Sequence, residues 1–240
     1  MIKVGCCGFP VSKKKYFEKL KVVEVQQTFY KILDEKTLKK WREEAPKDFE
    51  FVIKAFQGIT HNIKSPTWKK SGMSKEELKR IEKYVGELKW NKITSEYWDK
   101  MINYSKILNS KIILVQLPSS FKDEEENVKR AKEFFENAKE KNVRIAVELR
   151  GWKEKNKEKI CKEFDLIDVV DLNVSEPSYY KDIVYSRLHG KYEGNKIIYK
   201  HDYSKEELKK IKEKAKKYKE CYIMFNNIFM FKNALEFLNL

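Results

Sequence analysis

The fold is decided by one stretch in which two apolar runs enclose a charged segment: Ile112-Ile113-Leu114-Val115-Gln116-Leu117, then Glu124–Lys141, then Arg144-Ile145-Ala146-Val147-Glu148-Leu149. Short apolar runs of this kind are typical of buried strands. The segment between them places apolar residues three and four positions apart, as a helix with one buried face does. A strand, a helix and a second strand in this order predict a parallel β-α-β unit.

The same alternation continues along the whole chain. The strand candidates are Ile2–Cys7, Val22–Thr28, Phe49–Phe56, Ile112–Leu117, Arg144–Leu149, Asp168–Asn173, Ile183–His189 and Cys221–Asn226. The helix candidates are Leu33–Glu44, Glu76–Leu88, Ser95–Asn109, Glu124–Lys141, Lys155–Phe164, Ser204–Lys219 and Phe231–Leu238. Eight strands alternating with helices predict an α/β fold, a (β/α)8 barrel of the TIM type.

Two connections make the predicted barrel slightly irregular. About nine residues separate strands six and seven, too few for a crossover helix. Residues 57 to 111, between strands three and four, hold a long loop and two helices. No linker rich in Pro, Gly or Ser and no internal repeat divides the chain, so residues 1–240 are predicted to form a single domain.

Composition excludes several classes of protein. The 240 residues are 41% hydrophobic and 13% aromatic, which is too apolar for a disordered chain. No apolar run approaches the roughly 20 residues of a membrane span, and the N-terminus lacks a signal peptide, so we expect a cytoplasmic protein with no membrane partner. The four cysteines lack Cys-x-x-Cys spacing and are expected to be buried, small apolar residues. The sequence does not specify an oligomeric state.

The net charge of +15, from 52 basic and 37 acidic residues, has two interpretations. Lys-rich and Glu-rich helices carry both signs, as solvated outer faces do. An excess of cations also attracts polyanions such as nucleic acids.

Polar residues stand where the predicted strands end. In a TIM barrel the functional groups lie at the carboxyl ends of the strands, and side chains alternate between the two faces of each strand. If the valines of the second strand face the helices, its polar residues point inward. This predicts one polar rim made of Glu24, Gln26, Lys54, Gln116, Glu148, Arg150, Arg187, His189, Asn226 and Asn227. The alternative is that these charges only neutralise one another.

These segments resemble a known family, the YecE-like proteins, which share domain of unknown function 72 (DUF72). The resemblance rests on Val23–Tyr30, Phe51–Ala55 with Ile59–His61, Val115–Phe121, Val147–Arg150, Arg187–Gly190, and Phe225–Asn227 with Asn233-Ala234. It implies a TIM barrel of uncharacterised activity. Likeness of the family to metal-dependent barrel nucleases implies a nucleic-acid role only by analogy of fold.

The residue types on the rim favour particular roles. Glu148, Glu24 and His189 are the predicted catalytic residues, because carboxylates and imidazoles can be tuned for proton transfer; a structural hydrogen-bonding role for His189 is the alternative. Lys54, Arg150 and Arg187 suit an anion. Gln116, Asn226 and Asn227 can bind hydroxyls, amides or a base edge.

The loop Gln57–Met73 is a candidate lid that carries His61 and Trp68. Trp68 among lysines either stacks on a base or sugar or closes the barrel. No cofactor motif is present. One Mg²⁺ held by Glu24, Glu148 and water is the metal site that the sequence allows.

Three functions follow, in this order. The first is an enzyme acting on a phosphorylated substrate, foremost a nucleic acid or nucleotide, by nuclease-like hydrolysis. The second is a nucleic-acid-binding protein without catalysis. The third is a carbohydrate-active enzyme that uses two carboxylates with Trp68 and Trp152, provided that Glu24 and Glu148 are within about 10 Å of each other.

Overall fold

The computed structural model describes residues 1–194 and 196–240. Along the chain it contains β1 (Ile2–Cys7), α1 (Lys13–Lys19), β2 (Val22–Val25), α2 (Gln27–Tyr30), α3 (Glu35–Glu44), β3 (Glu50–Lys54), α4 (Gln57–Thr60), a 3₁₀ turn (Pro66–Lys70), α5 (Lys75–Ile81), α6 (Lys92–Leu108), β4 (Ile112–Leu117), α7 (Glu125–Asn137), β5 (Arg144–Leu149), α8 (Glu154–Phe164), β6 (Ile167–Val170), β7 (Ile183–Leu188), β8 (Lys191–Glu193), β9 (Lys196–Ile198), α9 (Lys205–Lys216), β10 (Glu220–Phe225) and α10 (Met230–Leu238).

Eight of these strands are parallel and close into a barrel in the order β1-β10-β7-β6-β5-β4-β3-β2. The predicted TIM barrel is therefore confirmed. The connection from β6 to β7, residues 171 to 182, has no helix, and α5 and α6 lie between β3 and β4, as predicted. None of the described helices is long and apolar enough to cross a membrane.

Side chains alternate between two apolar layers. Val23 and Val25 of β2 pack outward against the helices, whereas Val22 belongs to the smaller cluster inside the barrel. Cys6 and Cys7 point to opposite faces in the same way, and all four cysteines are buried. This period of two turns Glu24 and Lys54 into the barrel at its C-terminal end.

The N-terminal end of the barrel is closed by a different polar cluster. Lys3 Nζ lies 2.5 Å from Glu50, 2.7 Å from Glu220 and 3.0 Å from the hydroxyl of Tyr222. Burial alone would lower the pKa of Lys3, but the hydrogen bonds to both carboxylates raise it above its usual value. The charge of Lys3 is therefore neutralised within this cluster.

Several predicted boundaries are wrong for local reasons. The strand predicted at Val22–Thr28 ends at Val25, because Gln27–Tyr30 forms a helical turn. The helix predicted at Glu76–Leu88 ends at Ile81, and it cannot extend to Leu88, since Glu87 and Leu88 take left-handed backbone conformations that a helix does not allow.

The hairpin of β8 and β9 was not predicted from the sequence. It follows β7 at the C-terminal end of the barrel. Its strands have three residues each, too short for a pattern of alternation to identify them.

Two helices begin with a capping box, α5 at Ser74 and α9 at Ser204. In each, the serine hydroxyl accepts from the backbone N–H of the glutamate three residues later, and the carboxylate of that glutamate accepts from the backbone N–H of the serine.

Candidate functional site

The C-terminal end of the barrel holds two buried carboxylates on one guanidinium. Arg187 donates from Nε and Nη2 to Glu24, at 3.0 and 2.9 Å, and from Nη1 to Glu148 at 2.5 Å. Tyr185, two residues earlier on β7, donates its hydroxyl to Glu24 at 2.9 Å. All of these groups face inward because β2, β5 and β7 alternate in phase.

The charges of both glutamates are fixed by these contacts. Burial alone would raise the pKa of Glu24, but Arg187 and Lys54 lower it. Burial would also raise the pKa of Glu148, but Arg150 and Arg187 lower it well below its usual value. Both carboxylates are therefore ionised at neutral pH, and neither supplies the protonated acid that a glycosidase needs.

The guanidinium of Arg187, shared by Glu24 and Glu148, also determines how far apart the two carboxylates lie and whether they can bind a metal ion. Because Glu24 and Glu148 both contact Arg187, they are close neighbours, and the spacing that a carbohydrate-active enzyme requires is met. The same arrangement does not fit a Mg²⁺ site, since Arg187 and Arg150 occupy the oxygens that would bind the metal. No group of three or more His, Cys, Asp or Glu in the described residues is placed to hold a metal ion.

His189 and Arg150 surround the other oxygen of Glu148. Arg150 Nε donates to Oε1 at 2.8 Å, and His189 Nε2 lies 3.0 Å from the same oxygen. The amide nitrogen of Asn226 is 2.9 Å from His189 Nδ1. Burial lowers the pKa of His189 despite the attraction of Glu148, so its imidazole is neutral near pH 7. The backbone N–H of His189 donates to Asp171 at 3.0 Å.

Lys54, the last residue of β3, is buried without a counter-ion in contact. Its side chain makes no hydrogen bond or ion pair within the described parts of the chain, and its Nζ lies 4.1 Å from the centre of the Phe29 ring. Burial and the charge of Arg187 lower the pKa of Lys54 to about 7, against the attraction of Glu24 and Glu148. The amine is therefore partly uncharged at neutral pH.

A cleft of about 470 Å³ opens above these residues at the C-terminal rim. Its walls are formed by Gln26, Phe29, Tyr30, Lys54, His61, Ser65, Thr67, Gln116, Pro118, Ser119, Arg150, Arg187, Tyr199 and Asn226. The wall includes three cations and several amides and hydroxyls, whereas Glu24 and Glu148 lie beneath it. Among the residues that the structure describes, no carboxylate lines the cleft.

A larger groove, of about 790 Å³, lies on the outer wall beside α1 and α3. Its charged residues Lys13 and Glu44 form an ion pair with each other. No inward-facing residue of the barrel is among the described residues that line it. The C-terminal cleft, which exposes the polar interior, is therefore the candidate site.

The structure brings most of the predicted site residues together but not Trp68 or Asn227. Trp68 is only 3% exposed, and its indole N–H donates to the carbonyls of His61 and Asn62, so it anchors the loop 57–73 and does not stack on a ligand. Asn227 is buried and donates to His201 and Asn233. Trp152, predicted to contact sugars, is also buried.

His61 faces the cleft as a neutral imidazole. Burial and the charges of Lys54 and Arg150 lower its pKa to about 3. The Thr60 hydroxyl contacts its Nδ1 at 2.7 Å, and the Phe29 ring lies edge to face with it at 5.1 Å. His61 can therefore donate or accept a hydrogen bond without adding charge.

The chain matches a known protein family over most of its length. The family model described as "Protein of unknown function DUF72" matches residues 13–239. This chain belongs to the DUF72 family. The DUF72 chain has no significant match to any curated protein sequence.

Solved structures show the same fold. A DUF72 family protein from Enterococcus faecalis is 24% identical with a TM-score of 0.71, and the match covers 100% of this chain and 98% of that one. A DUF72 family protein from Thermotoga maritima is 22% identical with a TM-score of 0.65, over 100% and 98% of the two chains. Endonuclease IV from Thermus thermophilus is 10% identical with a TM-score of 0.53, over 99% of both chains.

The residues of this DUF72 site that were not predicted include Tyr185, Phe29, Asp171 and Tyr199. Tyr185 lies two positions before Arg187, so strand alternation could have placed it on the inner face. Phe29 comes from the helical turn after β2, Asp171 follows β6, and Tyr199 follows the hairpin. Their positions depend on contacts between segments far apart in the chain, which the sequence pattern does not encode.

Proposed function

We propose that this DUF72 protein is an enzyme that acts on a phosphorylated substrate bound in the C-terminal cleft. One observation carries the proposal: three cations line the cleft, and the two nearby carboxylates are turned away beneath it on Arg187. A cleft with this charge distribution favours an anionic ligand.

Two of the cations offer hydrogen-bond donors to that anion. Lys54 has no protein partner within the described residues, and Arg150 uses Nε and Nη2 on Glu148 and His189. Its Nη1 is left without a described partner. An arginine held on its far side by a carboxylate presents its remaining donors in a fixed direction, which suits a phosphate oxygen.

Within this class we propose a nucleic acid or nucleotide as the substrate, processed by hydrolysis. The loop 57–73 beside the cleft carries Lys64, Lys69 and Lys70 and no acidic residue. Tyr199 is 40% exposed at the cleft wall, and Tyr30 lies under Lys70 Nζ at 4.8 Å. Exposed aromatic rings among cations are suited to stacking on bases beside a phosphate backbone.

The contacts of Glu24, Glu148 and His189 give them a positioning role in this proposal. Glu148 holds Arg150 and Arg187 at fixed angles, and Glu24 holds the other side of Arg187. His189 joins Glu148 to Asn226 at the cleft wall. Together they hold the anion-binding donors in fixed positions. Donors that are preorganised in this way usually make the largest single contribution to stabilising a transition state.

The second candidate is a nucleic-acid-binding protein without catalysis. It is favoured by one observation, that neither buried carboxylate is free to act on a ligand as a general base. It uses the same cleft and the same lysines. The two candidates differ only in whether bound nucleic acid or nucleotide is turned over.

The test uses labelled single-stranded and double-stranded DNA and RNA, together with nucleotides, over a salt titration. Binding and cleavage are followed with Mg²⁺, with Mn²⁺ and with chelator. The loop variant Lys64→Gln, Lys69→Gln, Lys70→Gln is compared with a control that loses the same charge at the opposite end of the barrel, Lys106→Gln, Lys111→Gln, Lys141→Gln.

We expect the loop variant to bind more weakly, with its salt slope reduced by about 1 for each phosphate that it no longer neutralises, and the control to bind like the wild type. Cleavage that is abolished in Arg150→Met supports the enzyme, whereas binding without cleavage supports the second candidate. Equal weakening in both triple variants would show that only net charge matters and would contradict both.

A further inference from the structure

Lys54 is placed differently from the other lysine inside the barrel. Lys3, at the N-terminal end, contacts two carboxylates and a tyrosine hydroxyl. Lys54 is 5% exposed, lines the cleft, and has no hydrogen-bond or ion-pair partner in the ranges that the structure describes. A charged amine that is mostly buried, open only to a cleft and without a protein partner is costly, so its presence there points to chemistry.

The surroundings of Lys54 keep its amine available as a nucleophile. The titratable or charged groups that face it or share its cleft are Cys7, Glu24, Glu148, Arg187, His61, Arg150, Tyr30 and Tyr199. The carboxylates among them are bound to Arg187, and the ring of Phe29 covers one side of the amine. A desolvated lysine beside another cation is the arrangement that activates an amine for attack on a carbonyl.

We propose that Lys54 is a nucleophile that forms an imine with an aldehyde or ketone carrying a phosphate group. The Nζ lone pair attacks the carbonyl carbon, and the electrons of the carbonyl π bond move to its oxygen. Both hydrogens of the neutral amine end on that oxygen, the carbon–oxygen bond breaks, and one water leaves as the carbon–nitrogen double bond forms. The step needs no oxidant or reductant.

The phosphate part of this inference rests on the proposed function, because it needs Arg150, one of the two groups assigned there to the anion, while Lys54 is the nucleophile. The amine part stands on the geometry of Lys54 alone. Gln116 and Asn226, on the same cleft wall, offer amide groups to hydroxyls of a substrate. Beyond the nucleic acid or nucleotide proposed above, the cleft therefore also fits a small phosphorylated carbonyl compound such as a phosphosugar in its open form.

The experiment uses pyridoxal 5′-phosphate as the probe, with pyridoxal as the matched aldehyde without phosphate. The full chain is incubated with each probe between pH 5.5 and 9, the imine is followed by its absorbance, and borohydride reduction fixes it for peptide mass mapping. Lys54→Arg keeps the cation without the nucleophile, and Lys106→Arg is the control at an exposed lysine of the opposite end of the barrel.

We expect one label per chain on Lys54 at pH 7, at least tenfold faster than on surface lysines, since surface amines are protonated at this pH. The rate should rise through about pH 7 as Lys54 loses its proton. Labelling should persist in Lys106→Arg and disappear in Lys54→Arg. The wild-type pH profile and the label position test the inference even if a variant fails to fold.

Label spread over many lysines, or unchanged in Lys54→Arg, would overturn the inference. Equal labelling of Lys54 by both probes would support the nucleophile and contradict the phosphate site. Phosphate-dependent nucleic-acid binding without an imine at Lys54 would leave the proposed function standing and refute this inference.

Discussion

Arg187 Nη1 and Glu148 Oε2 lie 2.5 Å apart inside the barrel, with side chains 2% and 8% exposed. The same guanidinium also neutralises Glu24, which is fully buried. Arg187 therefore contacts both buried carboxylates, and Arg150 pairs with Glu148 as a second cation. Arg187 is therefore the centre of the polar interior. It binds the buried carboxylates of Glu24 and Glu148 on one side, and on the other it lines the cleft together with Lys54 and Arg150.

Arg187→Met is expected to lower the free energy of unfolding by about 3–5 kcal/mol, because it leaves the buried Glu24 without a bound cation and Glu148 with Arg150 as its remaining cation. Urea unfolding at pH 7 measures the loss. The control is Arg144→Met, since Arg144 pairs with Asp182 at the N-terminal end with 29% of its side chain exposed. That change should cost no more than about 1 kcal/mol. Similar losses in both variants would show that burial does not decide the effect.

Acid should weaken the wild type relative to Arg187→Met. The pKa values of Glu24 and Glu148 lie below 4.5 in the folded state, so the stability they contribute is present above pH 4.5 and is lost as pH falls toward the folded values. In the variant, burial instead favours protonation of both groups. The difference between the urea midpoints of the wild type and of Arg187→Met should therefore become smaller as the pH falls from 6 to 3. A difference that stays constant would contradict the ion-pair explanation.

Lys54→Met is expected to stabilise the protein by about 1–3 kcal/mol at pH 6.5. The pKa of Lys54 is about 7 when folded and 10.5 as its ordinary value. Between these two values the unfolded chain binds more protons, so wild-type stability should rise with pH and the advantage of the variant should shrink toward pH 10. Lys70→Met, at an exposed lysine, should change stability by less than about 0.5 kcal/mol. An advantage that is independent of pH would contradict the burial argument.

Gly190→Ala should damage both stability and ligand binding. Gly190 follows His189 with φ of +113°, and an added Cβ would lie 2.4 Å from the carbonyl oxygen of Ile198. We expect a loss of about 1–3 kcal/mol and weaker anion binding, because His189 and the β8–β9 hairpin must shift. Gly72→Ala has a comparable φ of +78° with open space around it. Gly190→Ala introduces the clash as well as backbone strain, whereas Gly72→Ala introduces the strain alone, so the melting temperatures of the two variants separate the two effects. Equal decreases in melting temperature would argue against the clash.

The sequence predicted the rim because alternation along a strand is a local property. Glu24, Lys54, Gln116, Glu148 and Arg187 all lie on inward positions near the strand ends, as the period of two requires. The error at Trp68 has a different origin. A tryptophan in a long loop has no periodic neighbours, so its burial depends on the carbonyls of His61 and Asn62 that the folded loop brings to it.

By itself, the sequence determined the eight strands, their parallel order and the faces on which the polar residues stand, because hydrophobic periodicity is encoded residue by residue. Only the tertiary structure decided which charges neutralise one another. It placed Arg187 between two glutamates and left Lys54 under Phe29 without a counter-ion among the described residues. The reason is physical: ion pairing, burial and the pKa of an amine depend on distances across the barrel between strands far apart in the chain.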